Sequence, residues 1–509
     1  MSLSMEHFLA LQNGSDIRGV AMKGRPGEEV KLTGEAANRI AAAYTVWLSE
    51  RTGKPVGELK IAVGIDSRLT GPALKGEALK AITGMGAEGY DCGLASSPAM
   101  FMSTVFGEEA PPAFPAMDGS IMITASHLPF NRNGLKFFTA AGGLEKGDIK
   151  ELLTRAANIE KKDGGLRKAV SYPLIERYCN HLRRVICREL GAEEGSRPLS
   201  GLHIIIDAGN GAGGFFAGGV LEPLGADVSG SLYLAPDGMF PYHEPNPENP
   251  EAMEFLREGV LSVGADLGLI FDTDVDRMSA VLDDGTEINR NALIAMMAAV
   301  LAPDYPGSTI VTDSVTSDEL AEFLTKELGL VHHRFQRGYK NVINECRRLN
   351  GEGIVSPLAI ETSGHGALRE NYYLDDGAYL AVKLIIAGAK ASRAGRRLKD
   401  LIAGLGYPAE AVEYRLKIRG ADNAADYGNE VLEAFAGRAK GAGIKIAAPS
   451  YEGVRLVFPD GWALLRRSLH DPLLPLNVEG RRAGSVSAIV CQLRGLLSGF
   501  DKLDLNPLL

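Results

Sequence analysis

Three aspartates at alternate positions, Asp272, Asp274 and Asp276, stand directly after the apolar run Leu267–Phe271 and directly before Arg277. Carboxylates this close repel one another unless something cationic sits among them, and a hard divalent cation with oxygen ligands is the natural partner. The spacing superficially matches the start of an EF-hand loop. The glycine and the distal glutamate that such a loop needs are missing, however, and the flanks read as strands. A solvated acidic turn is the plain alternative, and the buried-looking strand on one side and Arg277 on the other count against it.

Three further loops carry chemistry. Thr124, Ala125, Ser126, His127, Leu128 and Pro129 follow the apolar stretch Ile121-Met122-Ile123, with Asn133, Gly134 and Lys136 just beyond. A serine at a strand end, with a histidine beside it and a lysine ten residues on, is well placed as an exposed nucleophile; a serine-rich turn with a solvent-facing lysine is the bland reading. The segment is not the GxSxG elbow of hydrolases, so acyl transfer has little support. The third loop is Glu361-Thr362-Ser363-Gly364-His365-Gly366, followed by Asp375-Asp376-Gly377. Glu361 and Ser363 offer the acceptors and donors that sugar hydroxyls require, and His365 can move a proton. Read in isolation, it is as easily a bland turn. The fourth loop, Arg466-Arg467-Ser468-Leu469-His470-Asp471-Pro472, has the makings of a phosphate clamp, because guanidinium groups bind phosphate oxygens bidentately. A basic surface turn is the alternative there.

The elements that must hold these loops alternate between strand and helix. Residues 59–63 read as a buried strand, 72–84 as the helix after it, and 89–93 as a second strand. Residues 33–53 read as an earlier helix, with Thr33 as N-cap and Gly53 as stop signal. Strands at 203–207, 267–271, 309–312 and 357–360 continue the rhythm, each leading into a polar or glycine-rich loop. Such alternation predicts α/β units with mostly parallel strands, whose chemistry gathers at the strands' carboxyl ends. Punctuation at 192–199, 302–308 and 404–409 divides the chain into four units. That agrees with 509 residues, since one domain usually holds about 100–200.

Composition narrows the function classes. A net charge of −10 without a long basic run argues against nucleic-acid binding, while leaving room for a basic pocket around a small anion. Five scattered cysteines without a CxxC pair predict neither a disulfide framework nor a zinc site, and point to a reducing cytoplasm. No signal peptide is read at the start, and no apolar run approaches the roughly 18 residues of a membrane span.

One segment points elsewhere. Asp207-Ala208-Gly209-Asn210-Gly211-Ala212-Gly213-Gly214 contains GxGxxG after a strand and before a helix, with Asp227 further on. That is the outline of a dinucleotide-binding turn, and it supports an alternative reading as an NAD(P)-dependent dehydrogenase. The match is short enough to arise by chance, and it leaves the other four loops unexplained.

Taken together the loops resemble the α-D-phosphohexomutase superfamily, the phosphomannomutase and phosphoglucomutase enzymes, over residues near 13 to near 479. Segment 124–136 resembles the family's phosphoserine loop, 272–277 its metal loop, 361–365 its sugar-specificity loop and 466–472 its phosphate-binding loop. Lesser matches are Asn13 to Gly19, Gly64 to Arg68, Ser97-Pro98 and Arg337 to Lys340. Leu128 stands where the family usually has Asn, and Leu469 and His470 where it has Gly and Thr, which removes a small hydroxyl donor from the phosphate loop.

The resemblance implies an α/β protein of four domains: three similar α/β domains with mixed sheets and a smaller C-terminal α+β domain, around a central cleft. Their expected bounds are 1–197 (phosphoserine loop), 198–304 (metal loop), 305–408 (sugar loop) and 409–509 (phosphate loop). It implies an intramolecular phosphotransferase, interconverting the 1- and 6-phosphates of glucose or mannose through a phosphoserine enzyme and a bisphosphorylated sugar; a bisphosphate-forming relative is a further alternative. Ser126, Lys136, His365 and Arg18 are the expected catalytic residues. Glu361, Ser363, Arg277, Lys340, Arg466, Ser468 and His470 are expected on the substrate. Mg²⁺ is expected on Asp272, Asp274, Asp276 and the Ser126 phosphate, with hexose 1,6-bisphosphate as activator and intermediate. The implied partners are small hexose phosphates, with no nucleic acid or membrane, for a cytoplasmic monomer or homodimer.

Overall fold

Residues 34–52 combine an alanine-rich face with a polar start, and in the computed structural model they form the helix Gly34–Thr52. The Thr33 side chain accepts from the backbone N–H of Ala36, and Gly53, at φ 70°, ends the helix in the left-handed region that glycine enters without a Cβ penalty. The structure describes residues 3–107, 113–165, 168–468 and 471–509. They group into two compact units, one of residues 1–293 and 363–401, the other of 294–362 and 402–509.

The first unit contains two large sheets. In one, the central strand Lys60–Ile65 pairs in parallel with Glu88–Leu94 on one side and Gly119–Ile123 on the other. Gly119–Ile123 then pairs antiparallel with Arg132–Thr139, which pairs antiparallel with Asp16–Val20. Helices Gly34–Thr52, Gly71–Gly84 and Lys146–Asn158 share a buried core with this sheet, built from residues such as Ile40, Tyr44, Leu48, Ile61, Ile121 and Leu152. In the second sheet, Leu267–Phe271 lies parallel to Ile204–Asp207 and antiparallel to Met278–Leu282. The helix Pro250–Val263 covers it, capped by Asn249, with Met253, Leu256 and Val260 packed on Ile205, Ile270 and Val281. The hairpin of Gly366–Leu368 with Leu374–Asp375 leads into the helix Gly377–Arg393, capped by Asp376.

These sheets are mixed, whereas the alternating rhythm alone predicts mostly parallel strands. The connections 124–131 and 272–277 explain the difference. A parallel crossover needs about a dozen residues or more, so chains this short can only turn back on themselves. The serine and aspartate loops are thus hairpin tips at the carboxyl ends of Gly119–Ile123 in one sheet and Leu267–Phe271 in the other.

In the second unit, Thr309–Thr312 pairs in parallel with Val331–Arg334 and with Leu358–Ile360. The chain ends in an antiparallel sheet ordered Glu410–Lys417, Leu473–Gly480, Gly461–Leu465, Val454–Phe458 and Lys445–Ile446. Its core unites Leu456, Leu465, Leu476 and Val478 with Val431 and Phe435 of the helix Ala424–Gly441 and with Ile489 and Leu493 of the helix Ser485–Leu497. Among the described residues, no helix is long and apolar enough to cross a membrane.

Candidate active site

Ser126 is buried and adopts φ 51°, a left-handed conformation unusual for a residue with a Cβ. What holds it there is Arg68. The fully buried Arg68 guanidinium donates to the carbonyls of Ser126, Leu128, Pro129 and Arg132, so one side chain gathers the whole serine loop. Asp66 in turn accepts from the Arg68 backbone and lies 3.2 Å from its Nε. The hydroxyl of Ser126 donates to Asp272 Oδ2 at 2.7 Å and accepts from Arg277 Nη2 at 3.0 Å. A serine oxygen between a carboxylate and a guanidinium is poised for exchange of a group bearing strong negative charge.

Asp272, Asp274 and Asp276 are all buried, and oxygens of the three lie within 4.8 Å of one another. Lys136 Nζ donates to Asp274 Oδ2 at 2.7 Å and to Asp276 Oδ2. Ser97 donates both its hydroxyl and its backbone N–H to Asp274. Arg277 meets Asp272 through its backbone N–H and Nε, each at 3.2 Å. Burial, reinforced by the charges of Asp276 and Asp274, pushes the Asp272 carboxyl above the usual carboxylate range. Burial works the same way on Asp276, but Lys136, His365 and Arg277 outweigh it and hold that carboxyl well below the usual range.

Whether this cluster suits a cation is tested by its unused oxygens. Asp274 Oδ1 and Asp276 Oδ1 are buried and have no hydrogen-bond partner among the described residues. A buried carboxylate oxygen without a donor is costly unless a cation meets it. An all-oxygen set of three close carboxylates, two of them with an oxygen left unmet, fits a hard divalent ion.

His365 joins the same unit through backbone as well as side chain. Its residue bridges to Arg277, and its Nδ1 lies 2.6 Å from Asp375 Oδ2 and 3.9 Å from Asp276 Oδ1. Burial lowers its pKa, but Asp375 and Asp276 overcome this and raise it to about 9, so His365 stands protonated at neutral pH. His127 is the opposite case. Burial and the charges of Arg277 and Arg18 hold it well below its ordinary value, and Arg277 donates to its Nδ1. Arg18 pairs with Asp16 at 2.9 Å, and its charge reaches both His127 and Arg68. Ser363 is buried beside Gly364, whose φ of 91° and close approach to the Met278 backbone leave no space for a Cβ.

The remaining expected residues lie in the second unit. Glu361 accepts from the backbone N–H of Gly338, the cap of the helix Tyr339–Gly351 that carries Lys340 in its first turn. Arg466 is buried 3.9 Å from Glu452, and Glu452 also accepts from Ser314 and from the Arg337 backbone. The Ser468 hydroxyl accepts from the Asp471 N–H. Of the adjacent arginines only Arg466 stays with Glu452; Arg467 turns to the Ala425 carbonyl. Leu469 and His470 lie outside the described residues.

Arg68, Asp375, Asn246 and Glu248 belong to the site without being among the residues expected from the sequence. Arg68 and Asp375 stand within or beside the motif segments 64–68 and 361–366, and their neighbours are the signal. Asn246 carries no such signal, because it enters the site only through its 3.2 Å contact with Arg277 Nη1.

The glycine-rich turn is filled by its own chain. A Cβ on Gly209 would meet Pro245, on Gly211 the Thr273 backbone, and on Gly214 the Leu234 carbonyl. The turn leads not into a regular α-helix but into a π-helical stretch, Phe216–Leu221, as its glycines and Pro223 discourage regular helix. Its glycines therefore admit protein backbone, and the dinucleotide reading loses its basis.

Comparison with known proteins agrees. The three phosphoglucomutase/phosphomannomutase alpha/beta/alpha family models match in order: domain I at residues 10–163, domain II at 176–285 and domain III at 289–405. A phosphoglucomutase of Neisseria gonorrhoeae is 28% identical over 489 residues, 95% of each chain. A phosphomannomutase/phosphoglucomutase of Pseudomonas aeruginosa is 27% identical, across 92% of this chain and 95% of that one. The crystal structure of a phosphoglucomutase/phosphomannomutase family protein from Burkholderia thailandensis superposes with a TM-score of 0.79 at 24% identity, covering 98% of both chains. With all three domain models matched in order over most of its length, this chain belongs to the phosphoglucomutase/phosphomannomutase family of the α-D-phosphohexomutase superfamily.

Proposed function

We propose that this enzyme interconverts hexose 1-phosphate and hexose 6-phosphate, with glucose or mannose as the sugar, through a phosphate carried on Ser126. The observation that carries the reading is the Ser126 oxygen held between Asp272 and Arg277 at the edge of a buried three-carboxylate cluster. In the forward half-reaction a sugar hydroxyl oxygen bonds to the phosphorus, the bond from phosphorus to the Ser126 oxygen breaks, and the serine oxygen keeps the electron pair. Arg277, already a donor to that oxygen, stabilises the charge it gains. The hydroxyl proton leaves as the bond forms, and Asp375, the carboxylate paired with the protonated His365, is the group beside the aspartates that can take and return it, while His365 adds positive charge. Lys136 and Arg18 add fixed positive charge. The second half-reaction reverses these roles after the bisphosphorylated sugar turns end for end, which makes hexose 1,6-bisphosphate both intermediate and activator.

Asp272, Asp274 and Asp276 would hold Mg²⁺, consistent with the unpartnered oxygens of Asp274 and Asp276. Bound there, it supplies charge to offset the phosphoryl oxygens. Glu361 and Ser363 are assigned to sugar hydroxyls, and Lys340, Arg466, Ser468 and His470 to the phosphate that is not reacting. The four sheets support domains at 1–197, 198–304, 305–408 and 409–509. Cytoplasmic location, independence of nucleic acid and a monomeric or dimeric state complete the reading.

Intact and peptide mass measurement tests it first: the active enzyme carries one phosphate, on Ser126. Ser126→Ala lowers mutase activity by at least about a thousandfold, because the covalent route itself is removed, while melting as the wild type does. Full activity in that variant would sink the mechanism.

A further inference from the structure

The turn at 207–214 is unexplained by the reaction, yet its aspartate is buried in an ordered set of contacts. Asp207 closes the strand Ile204–Asp207 and accepts from the Gly209 N–H at 2.8 Å and from His243 Nε2 at 3.0 Å. The other ring nitrogen, Nδ1, lies 2.9 Å from the Glu244 carbonyl oxygen. Both neighbours of the ring are acceptors, so both nitrogens carry hydrogen and His243 is an imidazolium paired with Asp207. Phe255 stacks on the ring at 5.6 Å and Tyr233 meets it edge-on at 5.3 Å. Pro245 then seats against Gly209, where any side chain would displace it.

The next residue is Asn246. Its Oδ1 accepts from Arg277 Nη1 at 3.2 Å, and its amide donates to Glu244 at 3.1 Å. Glu248 lies 3.9 Å from the same Nη1. A guanidinium is planar and rigid, so its orientation is set by what holds its separate nitrogens. In Arg277 the Nε is on Asp272, Nη2 is on the Ser126 oxygen, and Nη1 is on Asn246.

We propose that Asn246 is a positioning residue for the phosphoryl transfer, fixing Arg277 on the Ser126 oxygen, and that the Asp207–His243 ion pair anchors the loop that carries it. The glycine-rich turn thereby serves the reaction as a clamp. This rests on the mutase reading, in which Arg277 meets the reacting oxygen.

A double-mutant cycle tests it. Asn246→Ala lowers kcat for glucose 1-phosphate by about ten- to a hundredfold with KM within about twofold, the scale expected when a catalytic group is misplaced rather than removed. Asn246→Asp, which keeps an acceptor, retains most of kcat. Lysine has no Nη1, so in an Arg277→Lys background Asn246→Ala costs less than about twofold. Asp207→Asn repeats the pattern, with little further loss once Asn246 is alanine; the Asn246 cycle decides the matter even where Asp207→Asn does not fold. Equal losses from Asn246→Ala in both backgrounds, or unchanged kcat in the single variant, overturn the proposal while leaving the mutase reading intact. A wild type that moves no phosphate between the sugar and Ser126 overturns both.

Discussion

Two loops leave the same edge of one sheet and begin alike. Ile204–Asp207 and Leu267–Phe271 run parallel, with Asp207 opposite Ile270, and each apolar strand delivers an aspartate into a tight turn. Beyond that point they diverge. At 207–214 the carboxylate finds an internal cation in His243 and a backbone N–H, and the glycines are packed by Pro245, Thr273 and Leu234. At 272–277 three carboxylates crowd together beside Lys136 and Arg277, and two of their buried oxygens have no donor among the described residues. The first loop is satisfied by its own chain and is scaffold. The second leaves buried carboxylate oxygens unmet, and that shortfall is what marks a binding site. Motif shape does not distinguish the two; the destination of each polar atom does.

The sharpest break in this comparison is to neutralise the second loop. Asp274→Asn preserves the shape and the acceptor facing Lys136 and Ser97, but an amide cannot offset a divalent cation. Losing that charge lowers kcat by roughly a hundredfold or more. Without metal the variant melts no lower than the wild type, since one of three crowded carboxylates has lost its charge. Activity within twofold of the wild type, or wild-type activity that survives exhaustive chelation, would show that the aspartates are structural.

A smaller effect is expected from filling the first loop. A Cβ on Gly211 would stand 2.7 Å from the Thr273 carbonyl and 2.8 Å from its Cα, and backbone cannot swing aside as a side chain can. Gly211→Ala therefore pushes on the metal loop itself, at a cost of about 1–3 kcal/mol in stability and with a measurable loss of activity. Gly218→Ala is the control, because the nearest atom to its Cβ is the Glu222 carboxylate at 3.8 Å, and it changes neither quantity downward. If Gly211→Ala is neutral, the two loops are not packed as described. Calorimetry with NAD and NADP gives no saturable heat, and micromolar binding would restore the turn to a nucleotide role.

Much of this was legible in the sequence where local chemistry determines local structure. The Thr33 cap and Gly53 stop lie where capping rules put them, and Leu267–Phe271 and Thr309–Thr312 coincide with their apolar runs. Ser126, Lys136 and the three aspartates meet as the loop order implied. What was not legible depends on contacts between distant segments. Parallel and reversed strands carry the same apolar pattern, so the mixed sheets that the family resemblance rightly implied cannot be read from periodicity and follow from the short connections. Arg68 reads as an ordinary loop arginine until the carbonyls of 126–132 fold around it. The glycines at 207–214 advertise room for a ligand, and only the fold reveals that Pro245 and Thr273 occupy it.

The finest distinction between the loops is how their charges respond to pH. Burial alone would lower the pKa of His243, but the hydrogen bond and charge of Asp207, helped by the Glu244 carbonyl and Glu251, outweigh it and raise the value above its ordinary 6.5. The sign follows from linkage. A folded pKa above the unfolded one means that the native state holds the proton more tightly, so the ion pair contributes fully below about pH 6.5 and fades as pH climbs through the raised value. His243→Gln removes that proton while leaving a polar side chain of similar reach. The gap in melting temperature between wild type and this variant is therefore wider at pH 6 than at pH 9. Taking the difference between the two proteins cancels the titration of the aspartate loop, which they share. A gap that stays constant, or widens towards pH 9, would mean that His243 is neutral in the fold, and that hydrogen bonding without an ion pair holds the first loop in place.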